Sequence, residues 1–316
     1  MRVAVLDDYQ RVAQSFADWS PIGDDVEVVS FADHIADPEQ LVSALAAFDV
    51  VVMMRERTPL PASVVERLKG IQLIVTTGMR NAVLDVGAAA AAGIAVAGTS
   101  GTITPTSELT WGLIFAVLRD IPAQDARVRA GAWQSTIGTG VFGKTLGVVG
   151  LGNLGRLVAR AGLAFGMDVI AWSQNLTAER AEAAGVELVT KEDLLARADV
   201  ATIHLVLGDR TRGLIGEAEL RAMKSTAVLI NTSRGPIVDQ DALLRALDES
   251  WIAGAGIDVF DDEPLPPDHP LRSAPRSVLT PHIGYVTDDC YRVFYRDIVE
   301  DIASFVRGTP VRLLTR

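Results

Sequence analysis

The chain carries a single cysteine, Cys290, in 316 residues. An intrachain disulfide is therefore excluded, and the composition suits a reducing compartment. No neighbouring histidine or basic pair stabilises a thiolate there, so Cys290 reads as an inert helix side chain. Histidine is scarce as well: the four present are scattered and show no metal-ligand spacing, so no metal site is expected. Long apolar runs are missing. The most apolar stretch, residues 82–98, is mostly alanine and is interrupted by Asp85 and by glycines, too short and too weak to cross a bilayer. The start, MRVAVLDDYQ, enters a strand without a basic segment and apolar core, so no signal peptide is visible and a cytoplasmic location is expected. Positive charge is in deficit, 29 Lys and Arg against 40 Asp and Glu, for a net charge of −11. Such a chain repels a phosphate backbone, which argues against nucleic acid as a partner. A small anionic substrate would need a pocket that is locally positive against this field.

What is present is an ordinary globular composition, 49% hydrophobic and 22% charged, in a length that suits two domains. Short β-branched runs at Arg2–Leu6, Val26–Phe31, Val50–Met54, Gln72–Thr76 and Ile94–Ala97 read as strands. Between them, Gln10–Trp19, Pro38–Ala47, Pro61–Leu68 and Asp85–Ala92 read as helices. The alternation predicts α/β architecture, a doubly wound parallel sheet with helices on both faces. GTSGTITPTS then breaks the pattern, a helix is expected over Glu108–Arg119, and a second α/β unit opens at Lys144. Its expected strands are Leu146–Val149, Asp168–Trp172, Val200–Leu205, Ala227–Asn231, Gly254–Asp258 and Val278–Thr280, followed by a helix over Asp288–Val306. That last helix closes the first unit, so the expected domains are 1–100 with 288–316, and 101–287. Asp7 and Asp8 follow the first strand, where acids cap a helix start. Met53 and Met54 fit burial better than ligand binding.

The strand before Gly150 runs into Gly150-Leu-Gly152-Asn153-Leu154-Gly155 and then a helical pattern over Arg156–Phe165. The first glycine allows the tight turn, the second the approach of a pyrophosphate, and the third close packing of helix on strand. The helix N-terminus adds free N–H groups and partial positive charge. A dinucleotide is the expected ligand. The next strand would end in an acid that holds the ribose 2′-hydroxyl, but Ser173 stands there, flanked by the neutral Gln174 and Asn175. NAD and NADP both remain open as cofactors.

Three residues carry the chemistry. Arg234, in NTSRG at the end of a strand, offers paired donors for a carboxylate and positive charge beside a ketone oxygen. His282, in TPHIGY, is placed to move a proton, and Glu263, in EPLPP nineteen positions earlier, is placed to hold its ring and stabilise its charged form. The set suits hydride transfer between a dinucleotide and a small 2-keto or 2-hydroxy acid.

Together GLGNLG, HLVL, NTSRGPIVD, GAGIDVFDDEPLP and TPHIG, in this order and spacing, resemble the D-isomer-specific 2-hydroxyacid dehydrogenase family over nearly the whole chain. The resemblance implies two Rossmann-like domains, one flavodoxin-like and one dinucleotide-binding, with an active site in the cleft between them. It places the family's catalytic arginine, glutamate and histidine on Arg234, Glu263 and His282. It implies that Asn153 and Leu154 touch the pyrophosphate, that Thr232 and Asp258 line the nicotinamide side, and that Thr106 approaches from a hinge helix, with Leu205, Ser233 and Gly284 near the cofactor. Substrate contacts would come from the backbone of Thr77, Gly78 and Met79, with Tyr285 adding to the pocket and Arg55 either adding a charge to it or standing as a solvated arginine. It also implies a homodimer paired through the cofactor domain. The sequence departs from the family at Ser173, at Arg80 and at Tyr285, which bear on cofactor and substrate choice. Glu263 speaks against formate and Thr77 against phosphite as substrate. The alternative from another class is a non-catalytic NAD(H)-sensing protein of the same fold, like the family's corepressors. A phosphorylated sugar acid is the alternative substrate class.

Overall fold

The structure is a computed structural model and describes residues 1–315. The chain divides into two compact units, one formed by Met1–Thr102 with the segment from Val286 onward, the other by Ile103–Tyr285.

The first unit holds five strands: β1 (Arg2–Val5), β2 (Glu27–Ser30), β3 (Val50–Met53), β4 (Leu73–Thr76) and β5 (Ala95–Gly98). All are parallel, in the order β2-β1-β3-β4-β5. Strands β3 and β4 are buried along their whole length, as expected of a parallel sheet covered on both faces. Met53 and Met54 are packed there. Helix Asp288–Val306 belongs to this unit and buries Cys290, Tyr291, Phe294 and Tyr295.

One expected helix, Gln10–Trp19, does not form; the segment is a series of turns. Its apolar spacing is helical, but local side-chain bonds and one tertiary packing contact hold it in turns. The Asp8 carboxylate takes the amides of Val12 and Ala13, Arg11 sits at φ +56°, the Trp19 indole donates to the Ala13 carbonyl, and Phe16 packs edge-on against Tyr291. Asp8 thus caps one isolated turn. Asp7 instead accepts from the Thr58 hydroxyl at 2.6 Å and pairs with His34 Nδ1 at 2.9 Å.

The second unit holds β6 (Thr145–Val149), β7 (Asp168–Trp172), β8 (Glu187–Leu188), β9 (Val200–Ile203), β10 (Val228–Asn231), β11 (Gly254–Ile257) and β12 (Ser277–Leu279). They form one parallel sheet in the order β12-β11-β10-β9-β6-β7-β8. Alternate residues feed two cores. Val149, Ile203, Leu229 and Ile257 pack with Leu195, Leu220 and Leu247 on one face, while Leu146, Val148, Val228 and Ile230 pack with Trp111, Ile114 and Val158 on the other. The order steps from β6 to β7 and β8 on one side and to β9 through β12 on the other. This places a topological switch beside β6, where open α/β sheets bind ligands at the strands' carboxyl ends.

Candidate active site

Every chemistry-bearing loop of the second unit leaves the carboxyl edge of its sheet. The glycine turn follows β6, Ser173 follows β7, Leu205 follows β9, Arg234 follows β10, Glu263 follows β11 and His282 follows β12. Because β10, β11 and β12 are adjacent and parallel, the last three loops start side by side.

His282 Nδ1 lies 2.5 Å from Glu263 Oε2. The other carboxylate oxygen accepts the amide of Phe260 at 2.9 Å, which fixes the carboxylate plane. A carboxylate facing Nδ1 requires the hydrogen on that nitrogen and leaves Nε2 for a substrate. The ring stands edge-on to Tyr285, with centroids 5.6 Å apart and planes at 77°. Tyr285 is buried against the histidine rather than forming an open wall. The remaining histidines are engaged otherwise. Burial pushes the His204 imidazole down to about 3, and its Nε2 lies 2.9 Å from the Thr202 hydroxyl. His269 caps the amide of Leu271, and His34 pairs with Asp7 in the first unit.

The Arg234 loop is braced from inside. Asn231 accepts the amide of Ser233 and donates to the Arg234 carbonyl, while the Ser233 hydroxyl donates to the Ile203 carbonyl at 2.8 Å. Arg234 Nη1 donates to the Ser233 carbonyl, and the backbone at Arg234 is extended. Gly235 then presses directly on the Glu263 loop: a Cβ built there would meet the Phe260 carbonyl carbon at 2.2 Å and its oxygen at 2.4 Å. Only a residue without a side chain lets these two loops touch.

Asp258 is 1% exposed and accepts from the Thr280 hydroxyl and from the amides of Ile283 and Gly284. Burial raises its pKa above the usual carboxylate range, against the lowering effect of those hydrogen bonds and of His282. Thr106 donates to the Gly284 carbonyl at 2.9 Å, and Thr232 lies 2.9 Å from the Thr110 hydroxyl. The polar atoms of Thr106, Thr232, Ser233 and Asp258 are thus held within the protein. Thr280 and Thr110 escaped the sequence reading, since a lone threonine beside Pro281 or inside an apolar helix carries no chemical signature.

The dinucleotide turn fits its expected ligand. Gly150 has φ +106°, and a Cβ there would meet the His204 carbonyl oxygen at 2.6 Å and Leu205 Cδ2 at 2.9 Å. A Cβ on Gly155 would lie 2.1 Å from the Gly150 carbonyl oxygen, so the helix packs on the turn only with glycine. Gly152 faces open space, as a pyrophosphate requires, and helix Asn153–Ala164 begins beside it with Asn153 exposed and Leu154 half-buried. A groove of about 820 Å³ opens at the ends of β7 and β8, lined by Trp172, Ser173, Gln174, Val189 and Thr190. It suits the adenosine end. Its two cations are already paired, Arg197 with Glu187 at 2.7 Å and Lys191 with Glu219 at 2.7 Å.

In the first unit, Thr77, Gly78 and Met79 follow β4 and Arg55 follows β3. The Thr77 amide bonds the Met53 carbonyl and the Gly78 amide bonds the Thr99 hydroxyl, so two of the three backbone donors expected to meet a substrate serve the fold here. Arg55 reaches across this loop. Its Nη1 donates to the Thr77 carbonyl at 3.3 Å, and its Nε lies 3.6 Å from Glu56. Among the described residues no group of three or more His, Cys, Asp or Glu could hold a metal, and no helix is long and apolar enough to cross a membrane.

Residues 111–284 match the family model for the NAD-binding domain of D-isomer-specific 2-hydroxyacid dehydrogenases. The chain belongs to that family. It is 42% identical over 244 residues to a glyoxylate reductase of Aeropyrum pernix, covering 74% of this chain and 73% of the relative. It is 36% identical over 277 residues to a D-3-phosphoglycerate dehydrogenase of Archaeoglobus fulgidus, covering 87% of this chain and 52% of that one. A solved phosphoglycerate oxidoreductase of Vibrio cholerae superposes with a TM-score of 0.93 at 32% identity, covering 98% of this chain and 99% of that one. This dehydrogenase is therefore a nicotinamide-dependent oxidoreductase of small 2-hydroxy and 2-keto acids.

Proposed function

We propose that the enzyme reduces a small 2-keto acid such as glyoxylate or hydroxypyruvate, and oxidises the D-2-hydroxy acid in reverse, with His282 as acid and base. The observation that carries this reading is the Glu263–His282 pair at 2.5 Å, formed between the loops after β11 and β12, of which the Glu263 loop starts beside the Arg234 loop at the carboxyl edge of the dinucleotide-type sheet. Gly150, Gly152, Asn153, Leu154 and Gly155 hold the pyrophosphate, Ser173 faces the ribose, and Leu205 lies beside the turn. When bound, the nicotinamide supplies or receives the hydride at carbon two of the substrate. Arg234 orients the substrate through its carboxylate and draws charge onto the 2-oxygen. His282 delivers its Nε2 proton to that oxygen, and Glu263 stabilises the imidazolium from the far side. In the oxidative direction neutral His282 takes the hydroxyl proton. In the first unit, Arg55 and the loop of Thr77, Gly78 and Met79 are the candidates for contact with the substrate carboxylate, the free backbone donor among them being that of Met79.

The enzyme acts as a homodimer through its cofactor unit. Helix Ile121–Arg129 buries none of its residues, and Trp133, Ile137 and Phe142 are 74%, 101% and 86% exposed. Apolar surface of this size on one arm is suited to a second copy. Sedimentation as a monomer at micromolar concentration would contradict this assembly.

A panel of 2-keto acids, each assayed with NADH and with NADPH, tests the activity. His282→Ala should lower turnover by about three orders of magnitude while dinucleotide affinity stays within about threefold. Turnover close to wild type in that variant would remove His282 from its role.

A further inference from the structure

We propose that two threonines outside the catalytic set, Thr280 and Thr110, are positioning residues that hold the His282 and Arg234 loops in register. The proposal rests on the reading of His282 as the acid and base.

His282 sits at φ +52°, in the left-handed region that few non-glycine residues adopt, histidine more readily than most. Strand β12 ends at Leu279; the Thr280 amide still donates to the Ile257 carbonyl at 2.9 Å, and the His282 amide closes back on the Thr280 carbonyl at 3.0 Å. Beyond these backbone bonds, three donors to Asp258 hold the loop. The Thr280 hydroxyl at 2.6 Å and the Ile283 amide at 2.8 Å share one carboxylate oxygen, and the Gly284 amide takes the other at 2.9 Å. The donors lie on both sides of His282 in the chain. Asp258 is itself tied to the Arg234 side, because its amide donates to the Asn231 carbonyl and the Asn231 side chain donates to the Arg234 carbonyl.

A second path runs through the helix Thr104–Leu118. Thr106 holds the Gly284 carbonyl at 2.9 Å. Thr110, one turn further on and fully buried, donates to the Thr106 carbonyl and contacts the Thr232 hydroxyl at 2.9 Å. Back-bonding to the preceding turn is ordinary for a helical threonine. The contact with Thr232, 122 positions away and two residues before Arg234, is not local. Both routes therefore end on the same two loops, and Thr280 in the first and Thr110 in the second are threonines outside the expected cofactor contacts whose hydroxyl can be deleted without changing the shape of the side chain.

The test compares Thr280→Val and Thr110→Val, which keep shape and lose the hydroxyl, with Thr280→Ser and Thr110→Ser, which keep it. Thr280→Val should lower kcat about ten- to hundredfold with KM for the keto acid and Kd for the dinucleotide within about threefold, since the loss is one of orientation. Thr110→Val, acting through one more link, should lower kcat about five- to tenfold. Each serine variant should recover to within about threefold of wild type. A valine variant that melts like wild type and keeps kcat within about twofold overturns the proposal for that residue, as do serine variants as impaired as valine. Should a valine variant not fold, alanine against serine makes the same comparison. His282→Ala is the control. If it retains turnover, the functional reading fails; if it is inactive while both valine variants are unaffected, only the positioning role fails.

Discussion

Replacing Gly235 by alanine probes the contact between the Arg234 and Glu263 loops. Gly235 has no positive φ, so alanine is conformationally permitted and the effect is purely one of space. The added carbon would stand 2.2 Å from the Phe260 carbonyl carbon, 2.4 Å from its oxygen and 2.6 Å from the Asp261 amide nitrogen. All three are backbone atoms, so no side chain can swing aside. Restoring an ordinary contact near 3.4 Å requires the loops to part by about 1 Å. Overpacking of this kind costs about 1–3 kcal/mol in stability. The larger effect falls on catalysis, because the displaced segments carry Arg234 and the Phe260 amide that steadies Glu263. A misplacement of about 1 Å between groups that must act together lowers rate by about a hundredfold. The assay is steady-state reduction of a 2-keto acid, with dinucleotide Kd by fluorescence and Tm alongside. The expected result is a kcat about a hundredfold lower, a Tm several degrees lower and a Kd within about threefold of wild type. A variant that kept both kcat and Tm would show that the loops part freely, and the steric reasoning would be wrong.

Two further outcomes follow from other parts of the molecule. Burial pushes the Asp301 carboxyl up to about 7, with the neighbouring Arg312 acting in the opposite direction. The folded protein then holds a proton there that the unfolded chain has already released. Stability from this group is therefore present at low pH and lost as pH rises from the ordinary carboxylate range through about 7. Asp301→Asn should narrow the difference in Tm between about pH 5 and about pH 8, and an unchanged difference would refute the assignment. Ser173→Asp places a carboxylate at the end of β7, where a 2′-phosphate would approach. The ratio of kcat/KM with NADH to that with NADPH should rise by at least about tenfold through like-charge repulsion; an unchanged ratio would show that the ribose is held elsewhere.

Much of this protein was legible in order along the chain. Alternating short β-branched runs located eleven of the twelve strands to within a residue or two, because burial on both faces leaves an apolar run that solvent-exposed segments lack. The exception, β8, has two residues, too few for any pattern. The Gln10–Trp19 segment has helical spacing, yet Asp8 and Trp19 bond the backbone of Val12 and Ala13 in a turn geometry and Phe16 packs on the distant Tyr291. The glycine turn and the Arg234, Glu263 and His282 motifs are visible because each stands in a short local pattern just after an apolar strand.

What sequence alone determined is therefore the set of chemical groups and the strand after which each appears, since both are local properties of composition and periodicity. Tertiary structure decided which groups are spent on one another. The carboxylate of Asp258 turns inward to Thr280, Ile283 and Gly284, Thr110 meets Thr232 across 122 positions, and Gly235 lies against Phe260. Such pairings arise where a buried polar atom must find a partner among whatever neighbours the sheet order brings near, and that order is a property of the packed chain, not of any window along it.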